Sequence, residues 1–390
     1  MSNLLEIAAN WSYWDREVPP STPRTVDLPK ELSARYALVI QGVRRCGKST
    51  LMSQLMARYG LPKEHSLFLN LEDPRLANLL HWETLDQIVE AFDAQIGRPG
   101  VYFFDEIQIV DGWEKWLRTQ LDNPRGRRFV ISGSNAQMLS GELGTTLTGR
   151  YIAAELFPFD FDEFVRARPE ATLFEYLKAG GFPEPMKTPD GDLLLRQYFL
   201  DIIERDVRER VGARSSLPLR QLVQMVYESA GSELSHRRLA GALGVSADTV
   251  ATYLEATEAA YLVFSCPYFD WSARKRLVRN TKFYPIDTGL RRVSVTKTGA
   301  DKGKMLECAT FLRLRREHKN VFYWRGKGEV DFVVEENRTL TPIQVTWDEP
   351  SERHMRALDD FYSTFQNTNE AVFVTKDNFA SLGLTSNDGR

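Results

Sequence analysis

The sequence predicts an α/β fold built on a parallel sheet, followed by a mainly helical middle region and a second, C-terminal α/β part. Three observations predict it. Short, mainly apolar segments alternate with helical patterns over residues 36–132, as parallel strands covered on both faces do. A glycine-bearing loop stands between the first strand and the first helix. Beyond Gly303 the pattern becomes helix, three strands, helix, strand.

The elements come in order. Residues 36–41 (YALVIQ) read as a buried strand, 42–50 as a loop, and the LMSQLMARYG stretch as a helix. Strands are expected at 66–70, 101–105 and 129–132, with a helix at 84–96. Residues 160–230 read as helical, broken at Gly180-Gly181 and Pro218. Residues 235–262 read as helix-turn-helix, with Ser246 as N-cap of the second helix. Residues 263–285 alternate apolar and polar like the wing of a winged-helix module. The last part reads as helix 304–318, strands 321–324, 329–335 and 341–346, helix 351–365 and strand 371–375. The expected domains are 1–160, 161–285 and 286–390.

Composition narrows the classes. The 390 residues suit two or three domains. Apolar residues at 43% and charged residues at 26% exclude a disordered chain, a collagen-like repeat and a disulfide-dense mini-protein. Cys46, Cys266 and Cys308 lie far apart, against a disulfide framework or zinc cluster and in keeping with a reducing, cytoplasmic compartment. The N-terminus lacks a secretory pattern, and no apolar run approaches a membrane span, so no membrane association is expected.

The loop Gly42, Val43, Arg44, Arg45, Cys46, Gly47, Lys48, Ser49, Thr50 fits the phosphate-loop pattern of nucleoside triphosphatases. Its glycines let backbone N–H groups curl around phosphate oxygens, and the following helix presents its positive end. Lys48 is expected at the β/γ-phosphates of ATP and Ser49 on Mg²⁺. The strand ending Asp105-Glu106 places Asp105 beside the metal and Glu106 as general base toward water. Ser134 and Asn135 end the next strand, and either is placed to meet the γ-phosphate or the lytic water. Asn70, ending the second strand, is a candidate to orient Glu106. Arg150, in LTGRY, is positioned as a finger toward a neighbour's γ-phosphate, which would make the active form an oligomer, a ring among the options.

With these residues in view, the chain resembles a family of prokaryotic AAA+-type ATPases with a winged-helix region and a C-terminal domain related to PD-(D/E)XK nucleases. GVRRCGKSTL, YFFDEIQ, ISGSNAQMLSGELGTTLTGR, LFPFDFDEF, AGGFPE, YFLDIIERDV, FYPIDTGL, GEVDFVV and IQVT carry the resemblance along nearly the whole chain. AGGFPE, ERDV and IDTGL in that order are the most specific pieces. The resemblance implies an ATPase acting on DNA. It also implies a nuclease-like core with Glu307 on its helix, Asp331 on its second strand and Gln344-Val345-Thr346 on its third. Gln344 offers only a neutral oxygen and Thr346 no cation, so nuclease activity is not expected.

Charge is unevenly spread. Residues 271–328 hold sixteen Lys/Arg against four Asp/Glu, a net +12, while the remaining 332 residues carry −15 of the overall −3. That asymmetry predicts a polyanion-binding face including Arg274, Lys275, Arg276, Arg279, Arg313, Arg316, Arg325 and Lys327. DNA is the expected partner, and RNA fits the same surface. The second helix of the helix-turn-helix carries Asp248, Glu255 and Glu258 and no Lys or Arg, against base reading by that helix. The expected function is an Mg²⁺-dependent ATPase that remodels or translocates on DNA as an oligomer. The alternatives are a nucleotide switch that binds a protein partner and an ATP-gated nuclease.

Overall fold

The structure, a computed structural model, describes residues 2–134, 136, 146–295, 301–318 and 320–381. It divides into two compact units, Met1–Phe157 and Pro158–Arg390.

The first unit opens with helix α1 (Ser2–Trp11). Strand β1 (Ala37–Gln41) leads into α2 (Lys48–Arg58). Then come β2 (Ser66–Asn70), α3 (Trp82–Ile96), β3 (Val101–Asp105), α4 (Trp113–Asp122), β4 (Arg128–Gly133) and β5 (Tyr151–Glu155). The five strands form one parallel sheet in the order β2-β3-β4-β1-β5. β1 and β3 are buried at every position, which is why each reads as an unbroken apolar run. Aromatic side chains fill the layers on the sheet: Phe68 stacks on Phe103 at 4.1 Å, and Trp116 meets Phe129 edge-on at 5.6 Å. The sequence pattern missed β5. Its Ile152 and Ala153 are exposed, so the run lacks the signature of a buried strand, and pairing with β1 at the sheet edge forms it.

The second unit begins with α5 (Phe161–Ala167) and α6 (Leu173–Ala179), each opened by a capping box, Asp160 with Glu163 and Thr172 with Glu175. Helix α7 (Gly191–Asp201) runs into a π-helical stretch, Ile202–Arg208, which contains the ERDV segment. Helix α8 (Leu217–Glu228), strand β6 (Glu233–Leu234), and helices α9 (His236–Leu243) and α10 (Ala247–Ala259) come next. Ser246 caps α10 as expected, accepting from Thr249 N at 3.0 Å. Over residues 263–285, where the alternating pattern reads as the wing of a winged-helix module, the chain forms β7 (Val263–Cys266), a short helix α11 (Ala273–Val278) and β8 (Thr281–Pro285). Leu277 and Val278 supply apolar letters to that pattern, yet they are 86% and 77% exposed. Helix α12 (Thr288–Ser294) precedes α13 (Lys302–Glu317), β9 (Val321–Arg325), β10 (Glu329–Glu336), β11 (Thr339–Val345), α14 (Glu352–Thr364) and β12 (Val372–Val374). The strands make two sheets, β6-β8-β7 and β12-β11-β10-β9.

The specific sequence pieces AGGFPE and IDTGL meet in this unit, and their chemistry is packing. Asp287 accepts from Gly181 N at 2.6 Å and from Leu290 N at 2.7 Å, capping α12. Gly180 has φ 77°, and a Cβ there would lie 2.2 Å from the Asp287 carboxylate. A Cβ on Gly289 would lie 2.1 Å from the Ala179 carbonyl. Burial pushes the Asp287 carboxyl up to about 6, against the pull of the backbone N–H groups of Gly181, Leu290 and Gly289. Its folded value thus exceeds its unfolded one, so its contribution to stability is full in acid and is lost as pH rises through about 6. The stability advantage of wild type over Asp287→Asn is therefore expected to be larger near pH ~4.5 than near pH ~7.5. Urea unfolding midpoints at the two pH values measure it, and a gap that widens toward neutrality would refute the assignment.

Candidate functional site

Parallel pairing delivers the carboxyl ends of β3, β4 and β1 side by side, at the usual spacing of about 4.8 Å per strand. The segments leaving those three ends therefore converge. The loop 42–47 leaves β1, Asp105-Glu106 ends β3, and Ser132-Gly133-Ser134 ends β4. The loop shape depends on its glycines. A Cβ on Gly42 would lie 2.1 Å from the Leu156 carbonyl oxygen. Gly47 caps α2 with φ 102°. Arg24 pins the loop from outside, donating to the Cys46 carbonyl at 2.8 Å.

Lys48 is 4% exposed. Its ammonium donates to the carbonyls of Gly42 at 3.1 Å and Val43 at 3.3 Å and stands 3.5 Å from Glu106. Burial works against its charge, but the Glu106, Cys46 and Asp105 side chains more than offset this and raise its pKa. The Ser49 hydroxyl donates to one oxygen of Asp105, and the Ser132 hydroxyl donates to the other. Burial and the neighbouring Glu106 charge raise the Asp105 carboxyl. Burial also works to raise Glu106, but Lys48, with Gln108 and Ser134 hydrogen-bonded to it, holds it below the usual range. The Gln108 amide donates to Glu106 at 2.6 Å. Glu106 has φ 56°, a left-handed backbone that non-glycine residues rarely adopt.

The structure thus brings together Lys48, Ser49, Asp105, Glu106 and Ser134. Asn135 lies outside the described residues. Asn70 ends β2 in register with Asp105, but its side chain accepts from Glu72 N at 2.9 Å. Arg150 lies at the opposite edge of the sheet: its carbonyl accepts from Ala37 N, at the start of β1. Its half-exposed guanidinium donates to Asp122 at 2.6 Å, away from this chain's own phosphate loop. Two contributors were missed. Ser132 shows only through the sheet register, and Gln108 only through the turn at Glu106. A cavity of about 400 Å³ opens beside Ser49 and Asp105, lined by Trp11, Tyr13, Phe68 and Phe103 among others.

The second unit holds the other predicted groups. Glu307, Asp331 and Gln344 come near one another, joined by residues that the sequence reading did not assign there. The Tyr284 hydroxyl donates to Glu307 at 2.7 Å, and Val345 N donates to Asp331 at 2.8 Å. Gln344 donates to the Glu329 carbonyl at 2.8 Å. Lys282, fully buried, pairs with Glu329 at 2.7 Å. Burial, then the Glu307 charge, pushes Asp331 up to about 7.

The basic set divides. Arg313 donates to the Phe379 carbonyl, and Arg316 to the Pro158 carbonyl and to Asp160 at 2.9 Å, so both half-buried side chains serve internal contacts. Arg325 pairs with Glu233 at 3.1 Å. Arg274, Lys275 and Arg279 are exposed on and beside α11, with Arg276 half-buried among them, and Lys327 is exposed on the β9–β10 turn. The charge count along the chain overstated the free face because Lys282, Arg292, Arg316 and Arg325 pair with acids distant in sequence.

No helix among the described residues is long and apolar enough to cross a membrane. The family model of an AAA domain matches residues 34–165, and two models for domains of unknown function (DUF8612 and DUF4143) match residues 170–301 and 302–386. Among solved structures, a Cdc6p structure from Pyrobaculum aerophilum is 14% identical, covering 67% of this chain and 88% of its own, with a TM-score of 0.26. An uncharacterized protein of Methanocaldococcus jannaschii is 31% identical over 85% of this chain and 80% of its own length. One from Haemophilus influenzae is 30% identical over 82% of this chain and 84% of its own. The chain therefore belongs to the family of these two proteins, and in it an AAA domain is followed by two domains of unknown function.

Proposed function

We propose that the chain is an Mg²⁺-dependent ATPase that works as a homo-oligomer and couples hydrolysis to engagement of DNA. The observation that carries the reading is the convergence of Lys48, Ser49, Asp105 and Glu106 at one edge of a parallel sheet. Loop N–H groups and the start of α2 favour a triphosphate there. Lys48 would turn from Glu106 to the β/γ-phosphate oxygens. Glu106, released from that pair and oriented by Ser134 and Gln108, would accept the proton of the attacking water. Asn135 is proposed as a further γ-phosphate partner.

Ser49 and Asp105 fit a hard divalent cation, since their oxygens already converge. When bound, Mg²⁺ would neutralise phosphate charge. A slow nucleotide switch is the second reading, favoured by the tie between Glu106 and Lys48, which holds the base away from water until phosphate competes for the lysine.

DNA engagement is assigned to the α11 loop. Trp271 is 54% exposed there, and Leu277 and Val278 stand out beside Arg274, Lys275, Arg276 and Arg279. Cations neutralise phosphates, and exposed apolar groups contact unpaired bases. The helices α9 and α10 followed by β7 and β8 support a winged-helix reading, in which the acidic α10 has a structural part. Changing Arg274, Arg276 and Arg279 together to Ala is expected to reduce the salt slope of DNA binding by roughly 2 to 3. It should also remove any DNA stimulation of ATP turnover and leave basal turnover intact. Fluorescence anisotropy over a salt series, beside turnover with duplex, single-stranded and branched DNA, tests it. Unchanged binding and slope would rule out this loop as the DNA contact.

A further inference from the structure

The loop between β7 and α11 and the end of α14 enclose a cavity of about 450 Å³ in the second unit. That size suits a small flat ligand, since such pockets run from about 300 to 1,000 Å³. Phe365 and Leu340, both buried, give it an apolar floor, and Trp271 stands at its side, more than half exposed. The Trp271 ring is held from behind. It meets Phe269 edge-on at 5.1 Å, and Phe269 in turn meets Phe365 at 5.5 Å and Phe322 at 5.3 Å. The facing wall is fixed too. Leu340 N donates to the Asn367 carbonyl at 3.0 Å and Asn369 N to the Leu340 carbonyl at 2.8 Å, tying the chain after α14 to β11. The Asn367 side-chain amide donates to the Arg338 carbonyl at 2.7 Å. The fold itself therefore sets the walls.

Charge divides the place in two. Asp270 lines the cavity, accepts from Ser272 N at 2.8 Å and pairs with Lys275 at 3.3 Å, so the pair brings no net positive charge to the wall. Cations stand beside it on and after α11. Arg274 is exposed, Arg276 lies 5.9 Å from the centroid of the Phe322 ring, and Arg279 lies 4.9 Å from that of Tyr268. A ligand with a flat, weakly polar ring and an anionic backbone matches this layout. We infer that the cavity seats a single unpaired base of a DNA strand, its face against Trp271, while the α11 arginines hold the flanking phosphates. The inference rests on the DNA reading above and adds a base pocket to it, so that the second unit tells an unpaired strand from a duplex. A duplex offers its phosphates to α11, but its base faces are covered by their stacked neighbours.

Fluorescence anisotropy with the full-length chain tests this on three probes of equal length: oligothymidylate, its duplex with oligoadenylate, and a strand of abasic sites. Wild type is expected to bind oligothymidylate about 10-fold more tightly than the abasic strand, the size of a base–aromatic contact. Trp271→Ala should remove that advantage and leave the abasic strand and the duplex bound as before, and Trp271→Phe should keep most of it. Thr364→Cys, on the cavity wall, should bind as wild type does until its thiol is capped with N-ethylmaleimide, and as Trp271→Ala does afterwards. Capped wild type is the control, since Cys46, Cys266 and Cys308 are buried. Equal binding of oligothymidylate and the abasic strand by wild type would overturn the pocket and leave the DNA reading standing. Trp271→Ala that weakens all three probes alike would make Trp271 a prop of the loop, and capped Thr364→Cys that still prefers bases would put them outside the cavity; either result overturns the proposal. Binding of none of the probes would remove the DNA reading and the pocket with it.

Discussion

Replacing Glu106 with Gln is expected to lower ATP turnover by about 100-fold or more, the usual contribution of a positioned general base. ATP affinity should hold or tighten. The asymmetry comes from the pair with Lys48. At 3.5 Å the Glu106 carboxylate competes with phosphate for the same ammonium. Gln keeps the size of the side chain and a carbonyl oxygen to accept from Ser134, but it neither attracts Lys48 strongly nor takes a proton from water. Turnover and KM measured separately resolve the two effects. Normal turnover in Glu106→Gln would remove Glu106 from the chemistry, and a large rise in KM would make it a binding residue.

Replacing Arg150 with Ala is expected to lower turnover by about 1,000-fold, the lower range for a phosphate-directed arginine supplied by a neighbour. Within its own chain Arg150 stands at the amino end of β5, paired with Asp122, while the phosphate loop leaves the carboxyl end of β1. Any role in hydrolysis must therefore be served on another copy. Mixing two damaged subunits tests this. Arg150→Ala keeps a sound phosphate loop, and Lys48→Ala keeps a sound arginine. Each alone should be nearly inactive. An equal mixture, allowed to exchange subunits, should recover about a quarter of wild-type turnover per chain if each site lies between two neighbours in a closed ring. Full activity of Arg150→Ala, or no recovery in exchanged mixtures, would count against a finger in trans.

The legible parts of this molecule were those whose signal is local. β1, β2 and β3 stood out because burial on both faces leaves unbroken apolar runs. The phosphate loop stood out because its glycines answer to close approach at Gly42 and left-handed backbone at Gly47. β5 was not legible, since an edge strand shows the solvent its Ile152 and depends on β1 for pairing. Ser132 joined the site through sheet register alone. The basic stretch misled for a similar reason. Charge summed along the chain counts Lys282, Arg292 and Arg316 as free, whereas folding pairs them with Glu329, Asp192 and Asp160. Lys282 is the clearest case: a cation counted toward a polyanion face proves to be fully buried and paired with Glu329 at 2.7 Å.

The central claim is that the edge formed by β3, β4 and β1 hydrolyses ATP. Phosphate release from Mg²⁺–ATP by the full-length chain, beside Lys48→Ala, tests it most directly. Sustained release by wild type that falls about 100-fold or more in the variant is the expected result. Wild-type protein that binds ATP yet releases phosphate no faster than Lys48→Ala, in every oligomeric state and with DNA present, would contradict it.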